Sequence, residues 1–78
     1  MNVKGVNEMY LTNALAGMEY RIRAIETADE ELDAFLFSLG CYSGEPITVI
    51  SRRRSGCIVS IKDGRYHIDN RLAKAIIL

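Results

Sequence analysis

Apolar positions recur along this chain with two different periods, and the change from one to the other falls near Pro46. Leu32, Phe35, Leu36 and Leu39 stand at i, i+3, i+4 and i+7, which places them on one face of a helix. Thr27-Ala28-Asp29-Glu30 has the spacing of a capping box, so the helix is predicted to start at Thr27. Gly40 supplies the residue that ends it in the left-handed conformation. Asp29, Glu30, Glu31 and Asp33 crowd the first turns, where the positive end of the helix dipole favours anions, so the acidic cluster needs no ligand to explain it. Phe37 lies off the apolar stripe; burial under the N-terminal segment is the favoured expectation, and exposure as part of a partner surface is the alternative.

Beyond Pro46 the pattern becomes β-branched and partly alternating. Ile47 to Arg52 and Cys57 to Lys62 read as strands joined by Arg53-Arg54-Ser55-Gly56. Asp63-Gly64 predicts a two-residue type I′ hairpin into a strand from Arg65 to Ile68, with Tyr66 and Ile68 on one face and His67 on the other. Asp69 or Asn70 can cap a single helical turn before a last strand over Ala75 to Leu78. Ahead of the helix, Tyr20 to Ile25 alternates weakly and predicts a first strand. The sum is a mainly β chain of about five short strands with one inserted helix, arranged as a closed or half-open barrel. Residues 1–13 are expected to form a loosely attached extension, with Val3, Val6, Met9 and Tyr10 as a helical stripe, and residues 14–78 to form the domain.

A length of 78 residues leaves room for one small core, and 49% hydrophobic with 26% charged residues is ordinary globular composition. No run approaches the roughly 20 apolar residues of a membrane span, and Asn7 and Glu8 interrupt any signal-like apolar stretch, so the expectation is a soluble, cytoplasmic protein. In that compartment Cys41 and Cys57 are expected to stay reduced. They form no CxxC pair and His67 is the single histidine, so no metal site and no cofactor are expected. Residues 1–46 hold eight acids and three bases (−5), and residues 47–78 two acids and seven bases (+5), which cancel in the whole chain.

His67 has no serine or cysteine partner beside it in sequence, and no glycine loop has the lysine of a phosphate-binding motif, so an enzyme is not expected. Arg52, Arg53 and Arg54, with Lys62 and Arg65, could meet phosphates while Tyr42 and Tyr66 stack bases. Zero net charge falls short of a nucleic-acid-binding face, which leaves that function as the alternative. Aromatics mixed with arginines favour a protein-binding surface built from Phe37, Tyr42, Arg52, Arg53 and Arg54.

Leu15-Ala16-Gly17, Leu39-Gly40, Gly44, Ile47, Val49, Ile58 to Ile61, Gly64, Ile68, Leu72-Ala73 and Ile76 resemble, in order and spacing, the FeoA family over residues 15–78. The resemblance implies an SH3-like β-barrel and a non-catalytic accessory role in ferrous iron uptake. The implied partner is the cytoplasmic GTPase part of a FeoB-type membrane transporter, without insertion into the membrane. The sequence departs from the family at Ala34-Phe35, where an arginine is frequent, and at Ser43, where a proline is frequent. A related barrel, the SH3-like module of iron-dependent repressors, is the second reading.

Overall fold

A computed structural model describes residues 8–78. Of the stripe expected through Val3, Val6, Met9 and Tyr10, the first two lie outside the described residues. Tyr10 forms an isolated bridge with Ile77, and Leu11–Asn13 make one 3₁₀ turn whose Leu11 side chain is fully buried.

The first strand is two strands. β1 (Glu19–Arg21) pairs antiparallel with β3 (Pro46–Arg53), whereas β2 (Ala24–Ile25) pairs with β6 (Ile76–Ile77). Between them the chain turns a barrel corner. The Ile22 N–H donates to the Glu45 carbonyl at 2.8 Å, the Arg23 N–H donates to the Ile77 carbonyl at 2.7 Å, and the Ile22 side chain is buried at the bend. A weakly alternating run gives no sign of such a corner, because the same in-and-out pattern continues through it.

The main sheet has the order β1-β3-β4-β5, with β4 at Gly56–Ile61 and β5 at Gly64–Asp69. Ile47, Val49, Cys57, Val59, Ile61 and Ile68 point inward and are buried, so the alternation read from the sequence selects the correct face. The β3–β4 ladder slips between Val49 and Ser51, leaving Ile50 as an extra, outward residue. At the β4–β5 hairpin the register joins Ile61 to Gly64, so Lys62-Asp63 is the turn and not Asp63-Gly64. Lys62 takes the positive φ, 53°, that was expected of the glycine.

Helix α1 (Glu30–Leu39) starts two residues later than the capping-box reading places it. Asp29 is the N-cap, its Oδ1 accepting from the Glu31 and Leu32 amides at 3.0 and 3.1 Å, while the Thr27 hydroxyl accepts from the Asp29 amide at 3.0 Å. Asp29→Ala is therefore expected to cost about 1 kcal/mol and Thr27→Ala less than half of that, read as urea midpoints. Equal losses would restore Thr27 as the cap. Gly40 ends the helix at φ 101° as expected, its amide donating to the Phe37 carbonyl at 3.0 Å. α2 (Asn70–Ala73) is capped by Asp69, which accepts from the Leu72 amide at 2.9 Å.

Leu36 enters the core completely, Leu32 and Leu39 are half-buried against it, and Phe35 is 50% exposed. The apolar stripe is thus wider than the contact it makes. A helix lying over the opening of a small barrel can drive only its central residue fully inside, which leaves the margin of the stripe in water.

Candidate functional site

Phe37 is 64% exposed, which corrects the expectation that it is buried. Its ring lies 4.9 Å from that of Tyr42, tilted by 39°, a geometry in which aromatic pairs attract. The glycine cap makes this contact possible, because the reversal at Gly40 folds Tyr42 back along the last helical turn. Lys62 completes the cluster from the β4–β5 hairpin. Its Nζ stands 5.2 Å from the Tyr42 ring centroid and 2.8 Å from Glu45 Oε1. Glu45 and Tyr42 both hold the Lys62 ammonium in its charged form and raise its pKa.

Arg52 does something else. Its guanidinium donates to the carbonyls of Leu11 (3.1 Å), Ala14 (3.0 Å) and Thr12 (2.8 Å), tying the segment before β1 onto β3. Three charge-assisted bonds to one turn make Arg52 a structural clamp. Sequence reasoning missed this role because the donor and its acceptors lie about forty residues apart, beyond any local pattern. Arg53 ends β3 and Arg54 opens the β3–β4 turn, both exposed and without a carboxylate partner among the described residues.

The five residues read together from the sequence therefore fall into two groups. Ile47 faces Ile61 at the Lys62 end of the sheet, and Arg53 faces Gly56 at the other. Six residues of strand separate these ends by about 20 Å. Phe37 and Tyr42 form an aromatic pole and Arg53 and Arg54 a basic pole, and no single small ligand touches both.

Acid/base chemistry finds little to build on among the described residues. His67 is exposed, with Nε2 3.5 Å from the Ser55 hydroxyl, and no carboxylate completes the pair. No three His, Cys, Asp or Glu side chains among them gather to hold a metal ion. Burial pushes the Cys41 thiol up to about 11, so at neutral pH it is protonated and behaves as a small hydrophobe. Cys57 is also raised by burial, opposed by the charge of Arg52. A surface cleft of about 500 Å³ lies between Arg21, Arg23, Glu8 and Glu26, and Arg23 and Glu8 approach each other to 3.6 Å within it. No helix among the described residues is long and apolar enough to cross a membrane.

A four-stranded antiparallel sheet closed by a two-stranded one, with a helix laid over the opening, defines a small SH3-like barrel. The FeoA domain model matches residues 9–78, and the chain belongs to the FeoA family, which is associated with ferrous iron transport. The match starts at Met9, in keeping with the burial of Leu11. Among solved structures, an iron uptake regulatory protein (FeoA) superposes at TM-score 0.79 with 21% identity, covering 90% of this chain and 93% of that one. The FeoA of Stenotrophomonas maltophilia complexed with zinc, an SH3 domain protein, superposes at 0.77 with 16% identity, covering 87% and 86%. A manganese-dependent transcriptional repressor gives 0.84 with 22% identity; 92% of this chain is covered, and it spans 41% of the repressor. No curated protein matches the chain in sequence.

Proposed function

We propose that the chain is a non-catalytic accessory protein of ferrous iron uptake, acting in the cytoplasm and binding the cytosolic GTPase part of a FeoB-type transporter through its aromatic pole. Family membership supports the process. The observation that carries the surface is the pair of Phe37, two-thirds exposed, and Tyr42, held from behind by Lys62 and Glu45. An ordered aromatic anchor loses little entropy on binding, and such anchors dominate interface energies. Arg53 and Arg54 join this interface only with a partner broad enough to span both poles.

Titration of the transporter's cytosolic domain tests the reading. Phe37→Ala and Tyr42→Ala are each expected to weaken binding by about tenfold or more, and Arg53→Ala by less than about threefold. Unchanged affinity in both aromatic variants would remove the aromatic pole. The second reading, a module of the repressor type, draws on the likeness at TM-score 0.84 and expects no affinity for the transporter domain at all.

A further inference from the structure

We infer that the basic pole is a contact face for an anionic lipid surface. Exposed apolar side chains lie beside the stretch of β3 that leads to it. Leu15 and Met18 are 63% and 49% exposed, and Ile50, the extra residue of the β3 bulge, is 38% exposed. The loop carrying the first two is fixed beside Ile50, since the Gly17 amide donates to the Val49 carbonyl at 2.7 Å and the Val49 amide to the Met18 carbonyl at 3.0 Å. Two residues beyond Ile50, Arg52 clamps the start of the same loop. The exposed Arg53 and Arg54, without a carboxylate partner among the described residues, follow directly at the end of β3 and the start of the turn.

Exposed aliphatic side chains next to arginines match the boundary of a bilayer, where apolar groups enter the headgroup layer and cations meet lipid phosphates. Of the nearest carboxylates in these sheets, one borders the pole and the other lies further back along β3. Glu19 stands opposite Thr48, and Asp69 stands opposite Gly56 with its Oδ1 occupied by the Leu72 amide. Arg52, whose charge remains although its guanidinium is held, with Arg53 and Arg54 outweighs these two; of the acids at the start of α1, Asp29 and Glu31 share a surface cleft with Arg71 of α2, which supplies a further cation. Nucleic acid fits the pole less well. Single strands are held by stacking on exposed aromatics, and here the exposed aromatic pair sits at the opposite end of the sheet.

The inference is independent of the transporter reading, because the test uses the purified chain alone. In flotation assays the protein is expected to rise with vesicles rich in phosphatidylglycerol and to stay behind with pure phosphatidylcholine, the difference vanishing as salt shortens the screening length. Reversing both turn charges (Arg53→Glu with Arg54→Glu) should lower partitioning by about tenfold or more. Leu15→Ser with Met18→Ser should lower it as well, whereas Phe37→Ser should leave it unchanged. Each variant is compared at an unaltered urea midpoint. Equal binding to both lipids, no binding at low salt, or an undiminished charge-reversal variant would each overturn the assignment. Stronger retention of single-stranded RNA or DNA than of anionic vesicles would overturn it too, in favour of nucleic acid.

Discussion

Gly56→Ala is expected to remove about 3 kcal/mol or more of stability, most of what a core of this size supplies. Gly56 opens β4 opposite Asp69 at φ 157°, and a Cβ built there would stand 2.1 Å from the Ile68 carbonyl oxygen and 2.7 Å from the Asp69 Cα. Both obstacles are backbone of the neighbouring strand. Relief requires parting the β4–β5 ladder at the point where it hands over to α2, and Asp69, which caps α2, would be displaced with it. Gly64→Ala gives the contrast. Its nearest obstacle, at 2.3 Å, is the hydroxyl end of Tyr66, a side chain that can swing away. Urea denaturation of the two variants should separate them by well over 1 kcal/mol. Similar midpoints would mean that the β4–β5 edge yields far more easily than its packing implies.

The second large effect is predicted at Leu36→Ala, about 2 to 5 kcal/mol from lost burial plus the cavity left behind. Leu36 is the one residue of α1 with no exposed surface, so truncating it loosens the whole helix from the barrel. Phe37 sits beside it in sequence and two-thirds in water, and Phe37→Ala should cost no more than about 1.5 kcal/mol, the scale of the Tyr42 ring contact. The two variants therefore dissociate stability from recognition. Leu36→Ala is expected to lower the urea midpoint and to weaken the proposed transporter binding only through the population of intact aromatic pole; Phe37→Ala is expected to do the reverse. A Phe37→Ala variant as unstable as Leu36→Ala would show that Phe37 is a packing residue.

Inward strand positions were legible because alternation is local. Ile47, Val49, Val59, Ile61 and Ile68 follow directly from it, and Gly40 announces the end of α1 by itself. Features that depend on a third dimension were not. Nothing in Tyr20 to Ile25 signals that Ile22 turns a corner between two sheets. The apolar stripe of α1 says which face turns inward but not how much barrel opening there is to fill, hence the exposed Phe35. Tyr42 was readable as a surface candidate, whereas Phe37 was expected to be buried, and the contact between them depends on the chain reversal at the Gly40 cap. Grouping them with Arg52, Arg53 and Arg54 failed because sequence proximity to a strand does not say which end of it a side chain occupies.

The bulge at Ile50 decides the fate of Arg52. Ser51 sits opposite Ile58 and Arg52 opposite the buried Cys57, so the arginine shares the inner face at that end of the barrel. Strict alternation from Val49 would have sent it to the outer face. One surplus residue acts as a phase shifter, readdressing everything downstream in the strand. An arginine that would otherwise have been ordinary surface charge becomes the rivet for a segment about forty positions earlier. Shortening β3 by one residue ahead of Val49 would leave that rivet in place, while changing the count between Val49 and Arg52 would tear it out without altering a single contact residue.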